Sequence, residues 1–301
     1  MLISLTIMIM ATLLSGCQSA SNDGEIISKE LIKVPGQNPK LNIYQIFYYS
    51  EGTKVEALLT EPVWSGEYPL VINLHGGKLF REESISHYDF GYTAESVSKA
   101  SHRVITLYPN YRGYMESDGH LQGLAGSTLD AQNAVKAAKS MLGEKIKEDS
   151  TYLLGYSFGG GVALRMASER RDVKAVAAVG SFVGSDEYIR WLDENPKNSS
   201  LLIAGWRYQL KELNDDVHNN NGSLLDRIPD IEAPVLFLQG TGDANVIWQT
   251  VQQYADDMEK ADKTVNLVMF PNGNHALDDQ YREPANEEIV QWFQKYGLSK
   301  W

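Results

Sequence analysis

Short apolar runs alternate along this chain with segments of helical periodicity, and that alternation narrows the possible folds more than any other feature. The runs predicted as strands cover residues 43–49, 55–60, 70–74, 104–108, 152–154, 173–179, 235–238 and 265–270. The middle runs are continuously apolar, which is typical of strands buried on both faces, whereas the first two alternate and indicate an antiparallel edge. The pattern predicts an α/β domain over residues 25–301, with a mostly parallel central sheet and helices on both faces.

One segment breaks the alternation. Residues 183–230 are polar but contain Trp191, Trp206 and Tyr208. We interpret this segment as a small cap-like insertion that covers a site. The alternative is that its aromatic side chains form a miniature core of their own, because buried aromatic rings dominate small cores.

The charge balance bears on possible partners. Lys and Arg total 27 against 39 Asp and Glu, which gives a net charge of −12 without a basic cluster. Nucleic acid is therefore excluded as a partner. The single cysteine, Cys17, allows neither an intramolecular disulfide nor a cysteine-based metal cage.

The amino-terminal segment is apolar up to Leu14-Ser15-Gly16-Cys17 and polar directly after it. It resembles a bacterial lipoprotein signal peptide of residues 1–16, which implies cleavage before Cys17 and acylation of that residue. Residues 17–24 are then a flexible tether, and the expected location is the bacterial cell envelope, with membrane attachment through the lipid anchor. The alternatives are a secreted or periplasmic protein without lipid and an uncleaved anchor, although the apolar stretch is shorter than a spanning helix needs. One departure is that the first six residues contain no Lys or Arg.

A glycine-flanked serine lies between a predicted strand and a predicted helix. Gly155-Tyr156-Ser157-Phe158-Gly159 follows the apolar residues 151–154 and precedes the helical start at residues 160–164. This strand–turn–helix context is that of a nucleophile elbow, in which a tight turn exposes the serine hydroxyl. We therefore predict Ser157 as a nucleophile. The alternative is a glycine-rich turn without chemistry.

A serine nucleophile needs a base, and the base needs an orienting carboxylate. Asp243 follows the predicted strand 235–238, and His275 follows the next strand, 265–270. The chain order Ser, Asp, His is that of α/β-hydrolases and differs from those of chymotrypsin and subtilisin. We predict Ser157, Asp243 and His275 as a catalytic triad.

An oxyanion hole needs two backbone donors directed at the developing charge. The first predicted donor is the N–H of Phe158, directly after the nucleophile. The second is the N–H of Gly77 or Lys78, in the glycine-containing turn after strand 70–74. We interpret His75 in this turn as structural, because His275 has the expected place of the base and no second ligand lies at metal spacing. The sequence implies neither a metal nor an organic cofactor.

Together these motifs resemble the catalytic domain of the prolyl oligopeptidase family, which includes dipeptidyl and acylaminoacyl peptidases. The motifs are His75-Gly76-Gly77, Asn110-Tyr111-Arg112-Gly113, Gly155-Tyr156-Ser157-Phe158-Gly159-Gly160, Gly240-Thr241-Gly242-Asp243-Ala244-Asn245-Val246 and His275, within roughly residues 45–298. The resemblance implies the α/β-hydrolase fold and the triad roles given above. It also implies an acyl pocket near Phe182, and we expect loops around Tyr111 to contact the substrate.

Two departures from the family concern the substrate. Roughly 50 residues precede the first core strand, which begins at Leu70, and these are too few for the propeller that family peptidases carry. Gln239 stands where many members have histidine. Aminopeptidase specificity is therefore not carried over.

The sequence predicts a serine hydrolase that forms an acyl-enzyme at Ser157 and releases it with water activated by His275. The leading substrate class is short peptides. The alternative is a carboxylesterase for short acyl or sugar-acetyl esters. A further alternative is a catalytically idle binding module, against which the intact triad order argues.

Overall fold

The computed structural model describes residues 22–77, 101–212 and 223–299. Within them, a nine-stranded sheet forms the centre of the domain. The strands are β1 Ile26–Ile32, β2 Leu41–Ser50, β3 Thr53–Pro62, β4 Tyr68–Leu74, β5 Ile105–Pro109, β6 Ile146–Tyr156, β7 Val173–Val179, β8 Val235–Gly240 and β9 Val265–Phe270. The described helices are α1 Gly123–Leu142, α2 Phe158–Glu169, α3 Ser185–Glu194, α4 Leu201–Glu212, α5 Trp248–Lys260 and α6 Arg282–Lys295, with 3₁₀ turns at Gly143–Lys145, Leu225–Asp230 and Asp279–Tyr281.

The strand order is β1-β2-β3-β5-β4-β6-β7-β8-β9. The first three strands and the β3–β5 pair are antiparallel, whereas every pair from β5 through β4 to β9 is parallel. This confirms the predicted mostly parallel sheet with an antiparallel edge.

The sequence did not predict β1. Its residues, Ile26–Ile32, pair with β2 at the edge of the sheet, and most of its side chains are exposed. Because that edge has no buried face of its own, the run lacks both the continuous apolar stretch and the regular alternation that identify a strand. The start of β6 was also missed, since residues 147–149 are charged and exposed.

The sheet separates two apolar layers. Leu153 of β6 faces the layer that α1, α2 and α5 cover, while its neighbours Tyr152 and Leu154 face the layer that contains α6. Successive side chains of a strand point to opposite faces, so a strand covered on both sides must be apolar at every position. The helices on both faces therefore explain the continuous apolar runs in the sequence.

The segment of residues 183–230 carries α3, α4 and a 3₁₀ turn. Its two tryptophans, Trp191 and Trp206, are buried in the same apolar cluster as α2 and the central strands, whereas Tyr208 is exposed. The described part of this segment thus shares the main core. Its role as a cap over the site stays a prediction.

No helix among the described residues is long and apolar enough to cross a membrane. The predicted signal peptide and Cys17 lie outside the described residues, as do most of the tether and Lys78.

Candidate active site

The neighbouring parallel strands β6, β7, β8 and β9 end at the same edge of the sheet, and each is followed by a residue of the candidate site. Ser157 follows β6, Gly180 follows β7, Asp243 lies in the turn after β8, and His275 lies in the turn after β9. Ligand and catalytic sites of open α/β sheets lie beyond the carboxyl ends of the strands. The topology therefore brings together residues that are distant in sequence.

Ser157 has a backbone conformation that a non-glycine residue rarely adopts, with φ 53° and ψ −119°. Its N–H donates to the carbonyl oxygen of Val179 at 2.9 Å, and its own carbonyl accepts from Phe182 N at 2.9 Å. These bonds fix the strained turn, as is common at functional sites. A Cβ atom at Gly155 would lie 2.3 Å from the carbonyl oxygen of Gly159, so the elbow closes only with glycine there.

The carboxylate of Asp243 is fully buried and accepts four hydrogen bonds. Oδ1 accepts from the backbone N–H groups of Asn245 at 2.8 Å and Val246 at 2.9 Å, and Oδ2 accepts from Gln239 Nε2 at 3.0 Å. The fourth partner of the carboxylate is Nδ1 of His275, 2.8 Å from Oδ2. Because an ionised carboxylate only accepts, Nδ1 carries the proton and Nε2 keeps a free lone pair for proton transfer.

The imidazole of His275 packs against the backbone of Gly180. A Cβ atom at Gly180 would lie 3.1 Å from His275 Nδ1 and 2.8 Å from the His275 carbonyl oxygen. The residue before Gly180 is Val179, whose carbonyl binds Ser157 N. The end of β7 therefore contacts both residues, His275 through Gly180 and Ser157 through Val179.

The predicted oxyanion donors lie on two sides of Ser157. Phe158 is the first residue of α2, where backbone N–H groups lack intrahelical partners and the helix dipole favours negative charge. On the other side, a Cβ atom at Gly76 would lie 3.1 Å from Ser157 Cβ. Gly77 follows directly, so the structure places the turn that carries this candidate donor against the nucleophile.

His75 belongs to this turn, and His275 is the histidine that contacts Asp243. Its Nδ1 lies 2.6 Å from the carbonyl oxygen of Gly76, and its ring stacks on Tyr111 with centroids 4.4 Å apart. Tyr111 is fully buried, and Phe182 is 3% exposed. Since neither Tyr111 nor Phe182 is open to solvent, their predicted contacts with a substrate stay predictions.

The sequence did not identify two residues that hold Asp243 and its loop. Gln239 was noted only as a departure from the family, yet its amide donates to Asp243. Trp206 comes from α4, stacks on Phe182 with centroids 5.7 Å apart, and donates from Nε1 to the Asn245 carbonyl at 3.1 Å. The signal for Trp206 was its presence in an otherwise polar segment, but its contact partners lie too far along the chain to be predicted.

Comparison with known proteins identifies the family of the chain. The sequence profile of the prolyl oligopeptidase family matches residues 100–299. The chain is 24% identical over 271 residues to the uncharacterized peptidase YtmA of Bacillus subtilis, covering 89% of this chain and 98% of that one. It is 27% identical over 269 residues to the acylamino-acid-releasing enzyme of Arabidopsis thaliana, covering 82% of this chain but 33% of that enzyme.

Solved structures show the same fold at low sequence identity. Acetyl xylan esterase 1 from Thermoanaerobacterium is similar with a TM-score of 0.61 at 15% identity, over 90% of this chain and 88% of the esterase. A putative dipeptidyl aminopeptidase IV from Bacteroides ovatus is similar with a TM-score of 0.66 at 16% identity, over 88% of this chain and 37% of that protein. The chain therefore has the α/β-hydrolase fold and belongs to the prolyl oligopeptidase family.

Proposed function

We propose that the protein is a serine hydrolase that cleaves an acyl bond through a covalent intermediate on Ser157. The observation that carries this proposal is the 2.8 Å contact between His275 Nδ1 and Asp243 Oδ2. This contact orients the imidazole of His275 so that its Nε2 can act as a base. The imidazole packs beside the end of β7, which also holds Ser157 through a hydrogen bond. A binding module would not require this arrangement.

The chemistry follows from these positions. His275 Nε2 removes the proton from Ser157 Oγ while Oγ forms a bond to the substrate's carbonyl carbon. The N–H groups of Phe158 and Gly77 donate to the oxyanion. The imidazolium, stabilised by Asp243, then protonates the leaving amine or alkoxide as the acyl bond breaks. Water deprotonated by the same imidazole attacks the acyl-enzyme, and Ser157 recovers its proton.

Short peptides are the leading substrate class. The support is the family itself and two of its relatives: the Bacillus peptidase that the chain matches over almost its whole length, and the acylamino-acid-releasing enzyme. The chain spans about a third of the latter, so the specificity of that longer enzyme is not transferred. Cleavage of an amide requires the leaving nitrogen to be protonated, which is the task of His275 in this proposal.

Short acyl or sugar-acetyl esters are the second candidate. The observation that favours them is the similarity to acetyl xylan esterases over nearly the full length of both chains. Ester cleavage needs less protonation of the leaving group, so a triad and an oxyanion hole suffice even when the leaving group is loosely positioned.

One parallel screen separates these candidates. Soluble protein that begins after Cys17 is assayed with p-nitrophenyl acetate and butyrate and with p-nitroanilides of short peptides, including some with proline before the scissile bond. A peptidase is expected to show the higher kcat/KM on a peptide after correction for intrinsic reactivity. Ester turnover without cleavage across a diverse peptide set would overturn the peptidase assignment, and no turnover of either class would favour the binding module.

We also propose that Cys17 is acylated and holds the protein at the cell envelope. The support is the Leu14-Ser15-Gly16-Cys17 sequence after an apolar segment. Cells that express the full chain are expected to incorporate labelled palmitate into it, and Cys17→Ser is expected to abolish incorporation. The absence of label in the unmodified protein would refute the anchor.

A further inference from the structure

We propose that Tyr111 positions the backbone donors of the oxyanion hole, with Arg112 as the anchor of its loop. This inference rests on the proposed function. The turn of residues 75–77, here called the oxyanion turn, contains two glycines, whose backbone is conformationally free unless its surroundings restrain it. The structure shows three restraints.

The first restraint is a hydrogen bond. The hydroxyl of Tyr111 donates to the carbonyl oxygen of His75 at 3.2 Å. That carbonyl and the N–H of Gly76 belong to one planar peptide unit, so the bond fixes the tilt of the unit that lies against Ser157. The following peptide unit carries the candidate donor, the N–H of Gly77.

The second restraint is aromatic packing. The ring of Tyr111 stacks on His75 and also meets the ring of Phe158 edge-on, with centroids 5.9 Å apart. It therefore contacts both segments that carry a candidate donor, the oxyanion turn through His75 and the start of α2 through Phe158. Tyr114 also packs against the oxyanion turn, since a Cβ atom at Gly77 would lie 2.0 Å from the Tyr114 hydroxyl oxygen.

The third restraint is the attachment of the loop that carries these tyrosines. Arg112 is buried and contacts Asp130 of α1 through Nε and Nη2 at 2.7–3.1 Å, while its backbone N–H donates to the same carboxylate at 2.8 Å. On the other side of Tyr111, the amide of Asn110 donates to Glu56 of β3 at 2.9 Å. Two buried carboxylates therefore hold both neighbours of Tyr111.

These contacts are relevant to rate because an oxyanion hole acts through donors that are already in place when charge develops. A displacement of about 1 Å in a positioned group can lower the rate by about a hundredfold. A residue that fixes the oxyanion turn should therefore affect kcat more than KM. A residue that only stabilises the fold should affect neither once the protein is folded.

The test compares Tyr111→Phe with Tyr254→Phe. Tyr254 is the matched control, because it is also fully buried and its hydroxyl donates to the Leu224 carbonyl at 3.0 Å. The first readout is kcat and KM on p-nitrophenyl acetate. The second is the rate of labelling by a fluorophosphonate, which also places an oxygen in the oxyanion hole. The third is the ratio of rates for the ester and its thiono analogue, whose sulfur accepts hydrogen bonds poorly.

Tyr111→Phe is expected to lower kcat and the labelling rate about tenfold, leave KM within about twofold, and reduce the preference for the oxygen ester. Tyr254→Phe is expected to change none of these readouts. The proposal is overturned if the two variants, at equal melting temperature, give the same kcat and the same ester-to-thionoester ratio. Failure of the wild-type protein to react with ester and fluorophosphonate alike would instead refute the proposed function.

A second pair of variants tests the anchor and covers a Tyr111→Phe protein that does not fold. Arg112→Lys keeps the charge but removes the bidentate contact with Asp130. Arg165→Lys is the control, because Arg165 is a buried arginine of α2 that pairs with Glu169. Arg112→Lys is expected to reproduce the fall in kcat with unchanged KM. Equal kcat in the two lysine variants would overturn the anchoring role.

Discussion

Replacement of Asp243 by Asn tests the electrostatics of the site with almost no change in shape. Oδ1 of Asp243 accepts from the N–H groups of Asn245 and Val246, so an amide at this position must place its oxygen there. The new NH₂ group then faces Gln239 Nε2 and His275 Nδ1, which both donate in the wild-type protein. The imidazole can avoid this conflict only by moving its proton to Nε2.

That change of tautomer removes the lone pair that accepts the proton of Ser157. We expect D243N to lower kcat about 10⁴-fold, as the same change does in serine peptidases, which corresponds to about 5 kcal/mol on the barrier. The NH₂ group introduced at position 243 and that of Gln239 then face each other without an acceptor. This unsatisfied pair is expected to lower the free energy of unfolding by about 1–3 kcal/mol, and by less if the Gln239 amide rotates.

The assay is kcat on p-nitrophenyl acetate together with the rate of fluorophosphonate labelling. Asp257→Asn is the control, since Asp257 lies on α5, pairs with Arg190 and Lys260, and takes no part in the site. Its kcat is expected to stay at the wild-type value. A folded D243N protein with kcat within tenfold of the wild type would refute the acid role of Asp243.

Two further predictions concern a glycine beside the base and a buried carboxyl group. Gly180→Ala is expected to lower kcat by displacing His275, because φ is +52° and the new Cβ would lie 2.8 Å from the His275 carbonyl oxygen. Gly52→Ala is the control, with φ +74° and no described atom within 4 Å of its Cβ, and equal kcat in both variants would contradict this reasoning. Burial raises the pKa of Glu187 from 4.5 to about 7, an effect that Arg190 opposes. The folded state then binds the proton more tightly than the unfolded chain, so stability falls as pH rises between these values. Urea unfolding from pH 4 to 8 is expected to show a flatter pH dependence for Glu187→Gln, and parallel curves would exclude Glu187 as the source.

The sequence predicted the parts of the fold that depend on local pattern. Strands β7 and β9 were predicted at their observed bounds, because each mostly apolar run ends at a turn residue, Gly180 after β7 and Pro271 after β9. Strand β1 was missed because an exposed edge strand places little restriction on its side chains. The position of β5 between β3 and β4 could not be predicted either, since strand order is decided by packing between distant segments.

The same distinction applies to the candidate site. Ser157, Asp243 and His275 could be predicted because each follows a recognisable strand, and parallel strands bring those positions to one edge. The support around them could not be predicted. The bond from Trp206 to Asn245 spans 39 residues, and that from Tyr111 to His75 spans 36, with no sequence pattern that links the partners.

The central claim is that Ser157 is the nucleophile of an acyl-transfer reaction, and the most direct measurement locates the covalent adduct. The protein is labelled with a fluorophosphonate, digested and analysed by mass spectrometry, with Ser157→Ala as the control. We predict one adduct, on the peptide that contains Ser157, and we predict that Ser157→Ala abolishes labelling and lowers kcat by several orders of magnitude without loss of fold. An adduct on another residue, or labelling that persists in Ser157→Ala, would contradict the account.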